Sequence, residues 1–421
     1  MKDYDIKDIS LAPEGRRRID WVKNNMPLLR GYQEKYENMP QEEKPFNGVK
    51  VSLSIHMEPK TAYLCEVLKS AGADLYATGS NVLSTQDSAC AALAEEGIHI
   101  YAVHGESKED YYKHIEMALE CKPNIIIDDG GDLVAILHST RPELAEDAWG
   151  GCEQTTTGII RLKAMENDGV LKFPMMAVND AKCKHFFDNR YGTGQSVWDS
   201  LMRNLNLIIA SKTVVVAGYG WCSKGIALRA AALGAKVIVT EIDPVKAIEA
   251  RMDGYDVMPM AEAAPLGEIF ISATGCNKVI NVDHMQLMQD RAIMCNAGHF
   301  DVEVDVAGLE AIATDKYEAR ANVTAYVLPN GKTVHVVGEG RLVNIAAADG
   351  HPAEVMDMSF AVQFMSAMYI LKNKGKLENK VIDVSSEMDD TIAAERIAAW
   401  GITLDTLTEE QEQYLNSWSI E

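Results

Sequence analysis

KTVVVAGYGWCSKGIALRAAALGAKVIVTE, from Lys212 to Glu241, has a pattern around which the rest of the chain is arranged. Thr213 to Ala217 is a β-branched, apolar run of strand length, and the turn Gly218-Tyr219-Gly220 follows it. A helical pattern comes next, and a second apolar strand, Val237 to Thr240, leads into Glu241. This succession predicts a dinucleotide-binding unit, because glycine lets backbone N–H groups approach a pyrophosphate and the acid accepts the ribose 2′-OH.

Two details refine that prediction. The sixth position of the G-x-G-x-x-G fingerprint takes glycine or alanine, whereas this chain has Ser223, which is small enough for close helix–strand packing. Glu241 lies 23 residues after Gly218 (241 − 218), near the offset of about 20 that the fingerprint expects. An acid there repels a 2′-phosphate and favours NAD over NADP, although Lys246 close by weakens that preference slightly. An ordinary βα turn is the alternative if the glycines are taken alone.

The composition excludes several classes of function. The chain has 421 residues, enough for two or three domains, and a formal net charge of −22, which argues against a nucleic-acid partner. No apolar run reaches membrane length and the N-terminus lacks the apolar core of a signal peptide, so we expect a cytoplasmic protein without a membrane partner. The 8 cysteines are scattered without a C-x-x-C pair, which indicates reduced core residues. We predict no metal site.

A second βα alternation precedes the first stretch. Apolar strands at 49–55, 74–77, 98–103, 124–127 and 173–178 alternate with helical patterns, which predicts a doubly wound parallel sheet with helices on both faces. Ligands bind at the carboxyl ends of such strands. The polar residues that follow these strands are His56, Asn81, His104, Asp129 and Asn179. We therefore expect a site at this edge of the sheet.

The order of elements predicts an α/β protein with two doubly wound parallel-sheet domains and a helical C-terminal tail. Strands at 269–273 and 292–295 end in glycine-bearing segments that contain Thr274 and Gly298, which should line the cofactor crevice. We predict a Rossmann NAD-binding domain at 190–344, inserted in a substrate-binding domain formed by 1–189 and 345–376. The tail comprises 377–421.

Lys184 and Asp188 lie four positions apart in a long helical pattern and share one face. A surface ion pair is the ordinary interpretation of such spacing, and the spacing alone favours it. The other interpretation is a lysine and a carboxylate directed at a substrate hydroxyl.

The chain resembles the adenosylhomocysteinase family over nearly its whole length. The motifs that carry the resemblance are His56-Met57, Ser84-Thr85-Gln86-Asp87, Asp128-Asp129-Gly130-Gly131-Asp132, Thr155-Thr156-Thr157-Gly158, Val178-Asn179-Asp180, Phe187-Asp188-Asn189, Gly218-Tyr219-Gly220, Thr240-Glu241-Ile242-Asp243-Pro244, Gly298-His299-Phe300-Asp301, Gly340-Arg341-Leu342-Val343-Asn344 and Gly350-His351-Pro352. So many motifs in the same order make the resemblance to this family specific.

The resemblance implies a tightly held NAD⁺ that serves as a recycled oxidant, and a small S-nucleosylhomocysteine as substrate. Oxidation of the ribose 3′-OH to a ketone acidifies the C4′ proton. Loss of that proton expels homocysteine from C5′, water adds, and the ketone is reduced again. The protein must supply bases, orientation and a dry site, while the cofactor supplies the redox step. A homo-oligomer, a tetramer in this family, is also implied.

The resemblance further implies roles for individual residues. Lys184 and Asp188 would serve the 3′-OH, His56 and Asp129 would move the C4′ proton, and His299 would act as acid and base near C5′. The expected cofactor contacts are Thr155, Thr156, Thr157, Asn189, Gly218, Gly220, Ser223, Glu241, Lys246, Thr274, Gly298 and Asn344. The expected substrate contacts are Glu58, Lys60, Gln154, Asp349 and His351, the last of which would also touch NAD.

The chain departs from the family pattern at several positions. The family has a glutamate where this chain has Gln154, which cannot ionise, and a lysine–tyrosine C-terminus that this chain lacks. In the purine pocket, Glu58 and Lys60 replace a threonine and a glutamate that accepts from adenine's 6-amino group, and Asp349 replaces a methionine.

These purine-pocket residues favour a 6-oxo purine. A lysine has only donors, as has a 6-amino group, so Lys60 fits adenine poorly, whereas the O6 of hypoxanthine can accept from Lys60 and its N1–H can donate to Glu58 or Asp349. S-inosylhomocysteine is therefore the preferred substrate, and S-adenosylhomocysteine is the alternative if Glu58 and Lys60 form a surface ion pair. A dehydrogenase that releases NADH, and an inactive nucleoside-binding regulator, are the alternatives of another class.

Overall fold

The computed structural model describes residues 3–418. Its strands form two eight-stranded sheets, one on each side of a long cavity. Strands and helices are numbered here in chain order. In the described residues, no helix has the length and apolar composition needed to span a bilayer.

The first sheet is parallel throughout, in the order β1-β4-β3-β2-β5-β6-β7-β16. Its strands are β1 Tyr4–Asp5, β2 Lys50–Ser54, β3 Asp74–Thr78, β4 His99–Tyr101, β5 Ile125–Asp128, β6 Gly150–Glu153, β7 Met175–Ala177 and β16 Val381–Asp383. The six inner strands, from β4 to β7, have the doubly wound order 3-2-1-4-5-6.

The second sheet repeats that order and adds an antiparallel edge. It runs β10-β9-β8-β11-β12-β15-β14-β13, and only the last two pairings are antiparallel. Its strands are β8 Thr213–Ala217, β9 Lys236–Thr240, β10 Asp256–Val257, β11 Ile269–Ser272, β12 Ile293–Asn296, β13 Asp315–Arg320, β14 Val323–Val327 and β15 Thr333–Val337. The predicted fold class, two doubly wound α/β units of which the second is a Rossmann unit, is confirmed.

Helices cover both sheets. They are α1 Ala12–Asn24, α2 Pro27–Glu37, α3 Pro59–Ser70, α4 Asp87–Glu95, α5 Lys108–Leu119, α6 Asp132–His138, α7 Thr156–Asn167, α8 Lys182–Lys184, α9 Thr193–Leu205, α10 Trp221–Ala232, α11 Pro244–Met252, α12 Met260–Ala263, α13 Val282–Leu287, α14 Val306–Ile312, α15 Val343–Ala346, α16 Ala353–Lys372, α17 Ser386–Ala399 and α18 Glu409–Asn416. A π-helical segment, His185–Gly192, joins α8 to α9.

The alternation of side chains along β8 shows why this sequence makes a buried central strand. Val214 and Val216 belong to the apolar cluster on one face of the sheet, and Val215 and Ala217 belong to the cluster on the other. Both faces are covered, so the strand is apolar at every buried position, as parallel strands require.

The C-terminal segment is not only the helical tail that we predicted. Val381–Asp383 pairs in parallel with β7 and extends the first sheet. A buried ion pair, Arg396 Nη1 to Asp357 Oδ2 at 3.1 Å, then ties α17 to α16. The sequence signal was weak because an edge strand of three residues carries little periodicity.

Candidate active site

A cavity of about 1410 Å³ lies between the two sheets. It opens where the strand order reverses in each, beside β2 and β5 in the first and β8 and β11 in the second, which is where doubly wound sheets bind ligands. Most of the predicted site residues line it: His56, Glu58, Lys60, Asp129, Gln154, Thr155, Thr156, Thr157, Lys184, Asp188, Asn189, Gly218, Gly220, Glu241, Lys246, Thr274, Gly298, His299, Asn344 and His351. Asn81 and His104 are not among the lining residues, and His104 bonds to the backbone oxygen of Thr85 instead.

His56 and Asp129 follow neighbouring strands, β2 and β5, and meet at the cavity wall. His56 Nε2 lies 3.5 Å from Asp129 Oδ2, and Ser80 Oγ donates to the same carboxylate oxygen at 3.0 Å. Burial lowers the pKa of His56 to about 4, despite the opposing attraction of Asp129. The imidazole is therefore neutral at neutral pH.

The partner of the other ring nitrogen assigns the tautomer of His56. His56 Nδ1 lies 2.7 Å from Ser84 Oγ, and Ser84 Oγ donates its single proton to Asn81 O at 2.9 Å. Ser84 can then only accept, so Nδ1 carries the imidazole proton. Nε2 is left unprotonated, which gives the site a base.

His299 reaches this pair from the second sheet. Its ring centroid lies 5.9 Å from that of His56. Ligand atoms of His56, Asp129 and His299 lie within 4.8 Å of one another, a spacing that could also hold a metal ion. The resemblance implied that all three residues act at adjacent carbons of the substrate, whereas spacing alone could not bring His299 to the other two, because it follows a strand of the second sheet.

Lys184 and Asp188 form a buried pair, not a surface one. Lys184 Nζ lies 3.3 Å from Asp188 Oδ2, and the two side chains are 7% and 3% exposed. Lys184 also donates to Asn189 Oδ1 at 2.7 Å. The segment between them is π-helical, a geometry that often marks functional sites. The interpretation that spacing alone favoured is wrong.

Asp188 is held in its ionised form by its neighbours. Burial alone would raise its pKa, but Lys184, His351 and Ser359 together lower the pKa below the usual value. Ser359 Oγ donates to Asp188 Oδ2 at 2.8 Å, and His351 Nδ1 contacts Asp188 Oδ1.

Gln154 is a neutral donor to the same carboxylate. Its Nε2 lies 3.3 Å from Asp188 Oδ2, and its Oε1 accepts from Gln363 Nε2 at 2.8 Å. A glutamate here would set a second carboxylate against Asp188. The side-chain amide of Gln154 instead donates a hydrogen bond to the Asp188 carboxylate.

At another part of the cavity wall, Glu58 and Lys60 form a buried ion pair. Lys60 Nζ lies 2.8 Å from Glu58 Oε2, and each side chain is 8% exposed. Glu58 is also the N-cap of α3, since its carboxylate accepts from the Lys60 backbone N–H at 3.1 Å. The surface ion pair that would have favoured adenine is therefore not what the structure shows.

The prediction that the Asp349 carboxylate reads the purine is wrong. That side chain is 67% exposed and points to Arg18 at 3.6 Å and Arg203 at 3.4 Å. Only its backbone contributes, because Asp349 O accepts from Lys60 Nζ at 3.1 Å. The residue follows a turn at the surface, where a carboxylate remains solvated.

The cofactor end of the cavity fits a dinucleotide. A Cβ added at Gly220 or Gly275 would meet nothing within 4 Å, so both turns leave open space for a pyrophosphate. Glu241 accepts from the Tyr219 N–H at 2.7 Å, which holds its carboxylate at the end of β9 beside the glycine turn. Asn344 Oδ1 is buried without a hydrogen-bond partner in the described part of the chain, an acceptor that a nicotinamide carboxamide could satisfy.

We predicted that Ser223 contacts the cofactor, but it is not among the residues that line the cavity. It is fully buried, and its Oγ donates to Ala273 O at 3.1 Å. The hydroxyl thus ties α10 to the end of β11, where glycine would leave that carbonyl without this partner.

Several supporting residues could not be found from the sequence. Asp389, in α17, accepts from the N–H groups of Lys182 and Cys183 at 2.8 and 2.9 Å and so caps the helix that carries Lys184. Glu303 accepts from the N–H groups of Thr274 and Gly275 at 2.9 and 2.8 Å. Such partners are distant in sequence, and no motif or spacing announces them.

Known proteins resemble the chain in both halves. Residues 189–350 match the family model described as S-adenosyl-L-homocysteine hydrolase, NAD binding domain, and residues 3–148 match the model described as S-adenosyl-L-homocysteine hydrolase. An adenosylhomocysteinase of Thermococcus kodakarensis is 54% identical over 99% of this chain and 98% of its own length. An S-inosyl-L-homocysteine hydrolase of Methanocaldococcus jannaschii is also 54% identical, over 99% of each chain. With this cavity, these matches make the chain an NAD-binding hydrolase that belongs to the adenosylhomocysteinase family.

Proposed function

We propose that the protein hydrolyses the C5′–S bond of S-inosyl-L-homocysteine to inosine and L-homocysteine, reversibly and with NAD as a recycled cofactor. The observation that carries the choice of base is the buried Glu58–Lys60 pair in the wall of the cavity. S-adenosyl-L-homocysteine is the competing substrate. Overall identity does not separate the two, since relatives of both names are 54% identical to the chain.

NAD, when bound, supplies the reversible two-electron oxidation of the ribose 3′ carbon. The chain's own contribution at that carbon is Lys184 and Asp188. Asp188, ionised before the reaction, accepts the hydrogen bond of the 3′-OH and takes up its proton as the 3′ carbon is oxidised, while Lys184 donates to the same oxygen. Their burial excludes water from the oxidation and keeps their charges unscreened.

His56 accepts the C4′ proton once the 3′ carbon is a ketone. Its Nε2 is unprotonated and faces Asp129, whose charge stabilises the imidazolium that forms. His299, on the opposite wall, protonates the leaving sulfur at C5′ and then activates the water that adds there. Two separate histidines suit two proton transfers at adjacent carbons.

The purine preference follows from donors and acceptors. Lys60 Nζ and Glu58 Oε2 offer a donor beside an acceptor, 2.8 Å apart, which matches the O6 and N1–H edge of hypoxanthine. Adenine has the opposite order on that edge, a donor at the 6 position and an acceptor at N1. It would be read only if Glu58, and not Lys60, faced the 6 position.

The deciding experiment compares kcat/KM for S-inosyl- and S-adenosylhomocysteine with one preparation of the protein. We expect the inosyl compound to be preferred. Preference for the adenosyl compound would refute the proposed base and leave the hydrolase assignment intact.

The same preparation, dialysed and assayed without added NAD, tests the other class of function. A hydrolase of this mechanism turns over with the NAD it retains, whereas a dehydrogenase accumulates NADH in solution and an inactive regulator does neither. The homo-tetramer implied by the resemblance remains a prediction, which sedimentation velocity would test.

A further inference from the structure

The loops that follow β5 and β12 touch at Gly130, the residue after Asp129. Gly130 has a φ of +106°, and a Cβ added there would lie 2.3 Å from His299 Nε2. The imidazole of His299 therefore rests on the bare face of this glycine. The distance of His299 from Asp129 depends on how the Gly130 peptide is held.

Both polar atoms of Gly130 are fixed. Its N–H donates to Glu153 Oε1 at 2.9 Å, and its carbonyl accepts from Arg161 Nη1 at 2.6 Å. Glu153 is fully buried at the end of β6. Arg161 lies in α7, and its side chain is 37% exposed.

Arg161 also contacts the residue next to His299. Its guanidinium carbon lies 5.8 Å from the ring centroid of Phe300, a cation–π distance. One side chain of α7 thus contacts both the glycine under His299 and Phe300, the neighbour of His299 in the loop after β12.

A series of neighbouring polar groups leads from the same arginine to Asp129. Arg161 Nη1 donates to Asp132 Oδ1 at 2.9 Å. The Tyr111 hydroxyl lies 3.0 Å from Asp132 Oδ2 and 3.1 Å from Ser80 O, and Ser80 Oγ donates to Asp129 Oδ2 at 3.0 Å. Within the described part of the chain, none of these residues has a hydrogen bond to Lys184 or Asp188.

We propose that Arg161 is a positioning residue for the second half of the reaction. By clamping Gly130 and Phe300 together, it keeps His299 close to His56 and Asp129, where C4′ deprotonation and C5′–S cleavage occur. It does not line the cavity, and it leaves oxidation at the 3′ carbon to the separate Lys184–Asp188 pair. This inference rests on the proposed hydrolysis, whichever purine the substrate carries.

Single-turnover kinetics of Arg161→Met test the inference, because the two half-reactions have separate signals. Formation of bound NADH, measured by absorbance, reports 3′ oxidation, and trapping of the released thiol reports C5′–S cleavage. A displacement of about 1 Å in a reacting group can cost on the order of 100-fold. We expect thiol release to slow by about 10–100-fold while NADH formation changes by less than about 3-fold. Arg161→Lys keeps the positive charge but loses the planar set of guanidinium donors, so its rate of thiol release should lie between those of the wild type and Arg161→Met.

Two further variants make the result specific. Phe300→Leu removes the same contact from the other side and should slow thiol release selectively, which keeps the test usable if Arg161→Met folds poorly. Arg141→Met is the matched control. Arg141 is a partly exposed arginine whose ion pairs with Glu116, Glu120 and Glu143 lie away from the cavity, so this variant should behave as wild type.

Equal slowing of both half-reactions in Arg161→Met and Phe300→Leu, or no change in either, would overturn the inference alone. Wild-type protein that forms no NADH and releases no thiol with either substrate would overturn the proposed function, and this inference with it.

Discussion

Exchanging the charges at the purine edge should reverse the preference between substrates. The change is Lys60→Glu together with Glu58→Thr. Lys60 and Glu58 are both buried and 2.8 Å apart, so little water is available to replace a lost partner. Threonine is suited to position 58 because it can still cap α3, as Glu58 does now through the backbone N–H at 3.1 Å.

The size of the change in substrate preference follows from one unpaired polar group in each protein, the wild type with the adenosyl compound and the double variant with the inosyl compound. A buried polar group left without a partner costs about 1–3 kcal/mol, or about 5–150-fold. In the wild type the 6-amino group of adenine faces a second donor, and in the variant the 6-oxo group faces a second acceptor. The pair's net charge changes from 0 (−1 + 1) to −1, so absolute rates should fall for both substrates. Only the ratio of kcat/KM values is diagnostic.

The assay measures kcat/KM for the inosyl and adenosyl compounds with preparations matched for NAD content and melting temperature. Lys60→Gln is the control, since an amide can turn either a donor or an acceptor to the base and should bring the ratio close to one. The reasoning would be refuted if the wild type already prefers the adenosyl compound. It would also be refuted if the double variant has the wild-type ratio.

Three other predictions concern the catalytic groups. Lys184→Met and Asp188→Asn should each slow NADH formation on the enzyme by about 10²–10⁴-fold while the circular dichroism spectrum is kept. Normal stopped-flow rates of NADH formation would contradict their role at the 3′-OH. His299→Ala should slow thiol release more than NADH formation, and a uniform decrease would make it a positioning residue. The low pKa of His56, about 4, predicts that its imidazole stays neutral on acidification to about pH 5.5, where an ordinary histidine is about 90% protonated. NMR of labelled histidine, with the signal assigned from His56→Gln, would show protonation near pH 6.5 if this is wrong.

The fold could be predicted because its signals are local. Apolar runs such as Thr213–Ala217, glycine turns and intervening helical patterns are readable in the sequence, and a parallel sheet buried on both faces needs apolar strands. The strand Val381–Asp383 was missed for the converse reason. It is short, it lies at an edge, and only its pairing with β7 makes it a strand.

Candidate site residues could be identified from the sequence, but the orientation and burial of their side chains could not. The strand ends that carry His56 and Asp129 were predicted to meet, and they do so because each follows a strand at the reversal of the sheet order. Asn81 and His104 follow a strand and its loop in the same way, yet they are not among the residues that line the cavity. The spacing of Lys184 and Asp188 was read as a surface pair, since burial depends on what packs against a helix.

The two Rossmann-like units, the NAD cofactor and the candidate reactive side chains could be predicted from the sequence, because these predictions depend on residue type and on neighbours close in the chain. Which of these groups are buried, ionised or hydrogen-bonded follows only from the way the chain packs. Ser359 lies 171 positions after Asp188 in the sequence yet donates to it, Asp349 turns to Arg18 and Arg203, and Arg161 contacts both Gly130 and Phe300. Desolvation and hydrogen bonding act through space, so they follow from the packed chain and not from the order of its residues.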